Sequence, residues 1–214
     1  GVSGGATEIY QPSFGEQDDP FAILGPHPTI TESDNFIVVR AFLPTAVTVT
    51  LQPTTTQVLP QQMTRLHPDG VFEARFPGQT AVFPYQLEIV YQDGECATID
   101  DPYRFPSTLS DYDLYLMGEG THYQQYKKFG AHQTTIDGVA GVVFIVWAPN
   151  AQRVSVVGDF NQWDGRVHVM RHHPSNGLWE LFLPGVAVGA HYKYEVLAQD
   201  GELLALKADP YAFA

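Results

Sequence analysis

The segment Val157-Gly158-Asp159-Phe160-Asn161-Gln162-Trp163-Asp164-Gly165 holds the residues best suited to recognising a ligand. It follows a run of alternating apolar residues and reads as a loop entered from a strand. A tryptophan in such a loop presents a flat π face. Sugar rings have apolar C–H faces that stack on aromatic planes, and Asn, Asp or Lys side chains can bond the hydroxyls. Trp163 and Asn161 are therefore candidate carbohydrate contacts. The competing assignment is a Trp163 that closes a core or packs on a neighbouring domain, because tryptophan is seldom left bare without cause. Lys193, in Tyr192-Lys193-Tyr194, is a further candidate, and a solvated position between two buried tyrosines competes with ligand contact there. Trp147 and Trp179 lie within strand patterns and are expected in the core.

No catalytic constellation accompanies this loop. The chain has no G-x-S-x-G, H-E-x-x-H, P-loop or G-x-G-x-x-G sequence. His172 and His173 are adjacent, and neighbours on a strand point to opposite faces, which rarely suits one metal ion. Asp18-Asp19 and Asp100-Asp101 stand beside prolines and read as turn residues. Glycoside chemistry needs two carboxyl groups about 5–10 Å apart across a sugar site, and nothing singles out such a pair. No cofactor and no metal are expected.

The elements that must position the loop follow from the bulk sequence. Of the 214 residues, 44% are hydrophobic and 16% charged, enough apolar material for real cores. Thirteen Phe, eleven Tyr, nineteen Gly and sixteen Pro point to strands separated by turns. A net charge of −13 repels phosphate backbones and anionic lipid, so neither nucleic acid nor a membrane is an expected partner, whereas a neutral sugar is not disfavoured. A single cysteine, Cys96, excludes an internal disulfide and fits a reducing compartment, so a cytoplasmic location is expected. No run reaches the ~18 apolar residues of a membrane span. Gly1 to Ala6 lack the pattern of a signal peptide, and the absence of an initial Met is read as processing or excision.

The chain repeats itself. Gly70-Val71-Phe72-Glu73 returns as Gly177-Leu178-Trp179-Glu180, 107 positions on. Pro77-Gly78, Tyr85, Glu88 and Asp93-Gly94-Glu95 return at the same spacing, and Val47-Thr48-Val49 matches Val154-Ser155-Val156. Asp101-Pro102-Tyr103 and Phe105 return one residue later as Asp209-Pro210-Tyr211 and Phe213. Period-two alternation in Tyr85 to Tyr91 and Trp179 to Leu183 makes each copy a set of strands, with hairpin loops at Asp93-Gly94 and Asp200-Gly201. The fold class expected is all-β: two tandem immunoglobulin-like β-sandwiches, 1–106 and 132–214, joined by a short helical connector, 107–131. In the connector, Ser110 caps a helix carrying Asp111 and Asp113 in its first turn, and a second short turn is expected from His122 to Lys128. The first copy has no counterpart to the Trp163 loop, which assigns any ligand to the second.

From about Asp137 to Ala214 the second copy resembles a family 48 carbohydrate-binding module. The likeness rests on Val146-Trp147-Ala148-Pro149-Asn150-Ala151, the run Val154 to Trp163, Gly177-Leu178-Trp179-Glu180 and Tyr192-Lys193-Tyr194-Glu195. Asp19 to His27 resembles the start of the amino-terminal module of bacterial glycogen branching enzymes. Tyr103 to His122, Gly165 to Arg171 and Lys207 to Phe213 resemble other parts of those enzymes. The resemblance implies an amino-terminal region that supports glucan binding and chain-length choice. It also implies packing on a catalytic (β/α)₈ barrel that this sequence does not contain, with glycogen and maltooligosaccharides as ligands. A stand-alone module that targets glycogen or starch is the alternative. The related glycogen-targeting modules use a tryptophan, a lysine and a second tryptophan. The first two map onto Trp163 and Lys193, whereas Leu203 stands at the third place, which implies weak binding or none.

Overall fold

The computed structural model describes residues 19–118, 130–174, 176–187 and 189–206. The described residues open with a one-turn helix, α1 (Pro20–Ile23). The first copy then runs β1 (Gly25–Ile30), β2 (Asn35–Phe42), β3 (Ala46–Pro53), β4 (Gln61–Gln62), β5 (Thr64–His67), β6 (Val71–Pro77), β7 (Tyr85–Tyr91) and β8 (Cys96–Asp100). The connector contributes α2 (Asp111–Gly118). The second copy runs β9 (Gly130–Ile136), β10 (Val139–Trp147), β11 (Ala151–Gly158), β12 (Arg171–His173), β13 (Leu178–Pro184), β14 (Tyr192–Ala198) and β15 (Leu203–Leu206). All pairings are antiparallel. In copy one, sheet β1-β2-β6-β5 packs on β4-β3-β7-β8 over Ile37, Val49, Leu51, Phe72, Leu87 and Ile89. In copy two, β9-β10-β13-β12 packs on β11-β14-β15 over Phe144, Val154, Val156, Trp179, Leu181 and Tyr194. The all-β expectation holds.

Register shows how the repeat is built. Gly25 opposes Arg40 as Gly130 opposes Ile145, and Val49 opposes Ile89 as Val154 opposes Val196. Up to β3 and β11 the copies are therefore 105 positions apart, and from β6 and β13 onward they are 107 apart. The match of Val49 with Val156 expected from sequence is corrected to Val49 with Val154. A slip of two keeps every side chain on its own face, so the hydrophobic pattern does not reveal it. The two extra residues fall between β11 and β12, in the stretch that carries Trp163.

The connector is a third layer. Ser110 Oγ accepts from Asp113 N at 3.0 Å while the Asp113 carboxylate accepts from Ser110 N at 3.0 Å, a reciprocal cap that starts α2. The second expected turn, His122 to Lys128, lies outside the described residues. Phe105 and Leu109 pack on Val143, Ile145, Leu178 and Phe182, the outward face of β10 and β13. β13 is thereby buried on both sides, and Glu180 is only 2% exposed. Its carboxylate accepts from Ser107 Oγ, from Thr108 N at 3.0 Å and Oγ1 at 2.7 Å, and from His173 Nε2 at 2.6 Å. Burial pushes this carboxyl up, and the bonds from His173, Ser107 and Thr108 outweigh it and hold it below the usual range.

The copies meet through the residues just before the connector. Asp101, expected to be a turn residue, is buried, accepting from Tyr85 Oη at 2.5 Å and Tyr103 N at 3.0 Å. Burial raises its carboxyl despite those bonds. The Tyr103 hydroxyl donates to Val169 O of copy two at 2.9 Å, and its ring meets Phe21 edge-on at 4.8 Å. The Arg171 guanidinium lies 3.7 Å from the centre of the Phe21 ring and donates to Phe105 O at 3.0 Å.

Candidate functional site

β11 is an edge strand, and the chain beyond it turns back to cover that edge. Val156 N donates to His168 O at 3.0 Å and Met170 N to Val154 O at 2.8 Å. Copy one does the same with Met63 N to Val49 O, also 2.8 Å. What differs is the loop in between. A 3-10 turn, Asp159–Asn161, ends β11, and the Asn161 side chain then folds inward. Asn161 is 4% exposed. Its Oδ1 accepts from Gly158 N at 3.0 Å, and its Nδ2 donates to Val156 O at 2.9 Å and to His168 Nδ1 at 2.8 Å. The amide is spent inside the loop, so Asn161 braces the site where the sequence reading had it meeting a ligand. Burial pushes the His168 imidazole down to about 4, which keeps Nδ1 available as the acceptor at neutral pH.

Braced in this way, Gln162 and Trp163 take φ values of 54° and 58°. Two consecutive non-glycine residues in the left-handed region cost on the order of 1–3 kcal/mol each, and such strain gathers at ligand-binding sites. Trp163 N donates to Gly158 O and its Nε1 to Asp159 Oδ1, both at 3.0 Å. Trp163 is thus fixed through its backbone and through its indole, and the residue stays 41% exposed. Beyond it, Gly165 O accepts from Ser155 Oγ at 2.6 Å, and a Cβ on Gly165 would strike the Glu195 carboxylate. Lys193 lies on β14 opposite Val157, beside the Gly158–Tyr192 pair to which Trp163 is tied. Tyr192 and Tyr194 point inward, and Lys193 is exposed on the outward face. Trp163 and Lys193 therefore share one end of sheet β11-β14-β15. Leu203, at the place of the second platform, opposes Leu197 on the same face, about 13 Å along the strand from Lys193. It is 53% exposed.

Trp179 is buried, as expected, donating to Ala148 O at 3.0 Å with its ring stacked 4.0 Å from that of His172. His173 turns instead to Glu180, so the adjacent histidines serve different partners. Trp147 corrects the reading: it is 60% exposed. It ends β10 opposite Leu178, past Val143 and Ile145, where Phe105 and Leu109 pack. Its strand end joins β11 at Ala151, whereas Trp163 follows the other end of β11, so the two tryptophans do not converge. Among the described residues no group of three or more His, Cys, Asp or Glu side chains could hold a metal ion, and no helix is long and apolar enough to cross a membrane.

Comparison with known families fits this geometry. Residues 7–103 match the N-terminal domain of alpha-1,4-glucan branching enzyme, and residues 128–212 match carbohydrate-binding module 48, the isoamylase N-terminal domain. The 1,4-alpha-glucan branching enzyme of Paramagnetospirillum magneticum is 50% identical over 197 residues, covering 92% of this chain and 25% of that protein. Over nearly its whole length the chain is similar to the amino-terminal region of the branching enzymes. The branching enzyme of Rubrobacter xylanophilus is likewise 50% identical, over 93% of this chain and 26% of its own length. The chain thus spans about a quarter of the branching enzymes it matches. The apo pullulanase of Klebsiella pneumoniae covers 85% of this chain at a TM-score of 0.31 and 16% identity, with 22% of that chain involved, and adds nothing to the assignment.

Proposed function

We propose that the chain is the non-catalytic amino-terminal region of an enzyme that makes α-1,6 branches in α-1,4-glucan, and that its second sandwich holds a glucan chain against Trp163 and Lys193. The observation that carries this is a half-exposed indole held in a strained backbone by a buried asparagine. A ring held by Asp159 on a backbone held by Gly158 loses little further freedom on stacking against a sugar. Lys193 supplies hydrogen-bond donors to hydroxyls at the same end of the sheet, and Leu203 supplies an apolar contact in place of a second ring. Influence on transferred chain length, packing on a catalytic barrel, a cytoplasmic setting and the division at 1–106, 107–131 and 132–214 belong to the same reading. Isothermal titration with maltoheptaose tests it. Trp163→Ala abolishes the binding heat while the unfolding midpoint stays in place. Wild-type heat that survives the substitution refutes the site, and a variant that unfolds returns Trp163 to the core.

A further inference from the structure

The segment that follows the Trp163 loop is held from two sides. On one side is β11, where Val156 N donates to His168 O and Met170 N to Val154 O. On the other stands Tyr103, from the stretch between copy one and the connector. Its hydroxyl donates to Val169 O at 2.9 Å and reaches Val167 O at 3.3 Å. Those two carbonyls flank His168. Val169 is buried, so removing the hydroxyl takes a bond from an acceptor that water does not readily reach.

Copy one fixes where that hydroxyl stands. Tyr85 on β7 donates to Asp101 at 2.5 Å, and Asp101 accepts from Tyr103 N at 3.0 Å. Gly25 on β1 lies so close to the Tyr103 carbonyl that any Cβ there would collide with it. Phe21 meets the Tyr103 ring edge-on at 4.8 Å. Tyr103 is therefore a post footed in the first sandwich and ending in the second.

What the post supports is the brace of the Trp163 loop. His168 Nδ1 accepts from Asn161 Nδ2 at 2.8 Å, and Asn161 in turn holds Gly158 N and Val156 O. Those bonds set the turn in which Gln162 and Trp163 take positive φ. A retreat of His168 by ~0.5 Å would carry its bond past the normal range.

We infer that Tyr103 is a positioning residue for the glucan site: its hydroxyl sets the place of His168, through which Asn161 keeps Trp163 in its strained, half-exposed pose. This rests on the glucan reading of Trp163 and deepens it. The site is then a property of both copies, and the first takes part by holding the loop of the second.

Tyr103→Phe in the whole chain tests this, because it keeps the ring and removes only the hydroxyl. In nuclear magnetic resonance the indole N–H signal of Trp163, identified by its loss in Trp163→Phe, is displaced, while that of Trp147 stays in place. In titration the affinity for maltoheptaose falls about three- to tenfold. An unmoved Trp163 signal, or an unchanged affinity, overturns the proposal. No heat from the wild-type chain overturns the glucan site alone, and the indole signal then decides whether Tyr103 positions Trp163. An Asn161→Ala background, which already lacks the brace, tests the route. There Tyr103→Phe weakens affinity by less than about twofold more, and effects that multiply in full overturn the path through His168. If Tyr103→Phe does not fold, the coupling is read from its other end. It is mutual, so Asn161→Ala displaces the Tyr103 ring signals, and signals that stay in place overturn the proposal.

Discussion

Glu73 and Glu180 occupy the same place in the two copies, on β6 and β13, in opposite surroundings. Glu73 lies between Arg40 and Arg75, each at 2.9 Å, and Arg75 also covers Phe36 at 5.3 Å, a charged lattice in which Arg75 reaches water while Glu73 and Arg40 are largely covered. In copy two the positions of Arg40 and Arg75 are taken by Ile145 and Phe182, and the connector closes over them with Phe105 and Leu109. The glutamate remains, bonded now to Ser107, Thr108 and His173. One sheet covers its outer face with its own ion pairs. Its duplicate has become the middle layer of three, with a carboxylate as the polar clamp.

The sharpest break in this comparison is Glu180→Ala. It leaves the donors of Ser107, Thr108 and His173 without their acceptor, and a loss of about 3–5 kcal/mol in urea unfolding is expected. Acid is next. His168 protonates near 6.5 in the unfolded chain and at about 4 in the fold. The unfolded state therefore binds more protons at His168 between those values, so the share of stability linked to His168 is complete above pH 6.5 and falls away, by about 3 kcal/mol, as pH drops to 4. Copy one carries Gln61 at the matching place, and His168→Gln should flatten that slope. Glu180 acts in a lower window: its carboxyl is depressed, so its share is present above the unfolded value and disappears as pH falls through the folded one. Leu203→Trp restores the second platform, and affinity for maltoheptaose should rise about tenfold. The smallest effect belongs to Glu73→Ala. Only 11% exposed, Glu73 holds the equally covered Arg40, but its second partner Arg75 reaches water, so its loss should cost about 1 kcal/mol, less than that of Glu180.

Much of this architecture was legible in the chain. Gly70 to Glu73 and Gly177 to Glu180 announced the duplication, and Ser110 with Asp113 announced the connector helix. The connector's role was not, because Phe182 and Ile145 read equally well as residues of any buried strand and nothing in sequence says what covers them. The two-residue slip at Val154 was invisible because period two is unchanged by it. Trp147 was misplaced because its strand pattern is apolar up to the last residue, and only the reach of Phe105 and Leu109 decides which positions are covered. At the proposed site, Trp163 and Lys193 are candidates by residue type. The inward turn of Asn161 was concealed, since its partners Val156, Gly158 and His168 are joined only once the loop has closed on β11.

A middle layer cannot be cut free. Trimming the chain to begin at Gly130 would strip Phe105 and Leu109 from β10 and β13, remove Tyr103 from the Val169 carbonyl, and leave Glu180 facing solvent amid bare Leu178, Phe182 and Ile145. Such a fragment would carry an oily stripe ready to find another molecule of itself. A soluble minimal version of the second sandwich has to start upstream of Asp101, inside what looks like its neighbour.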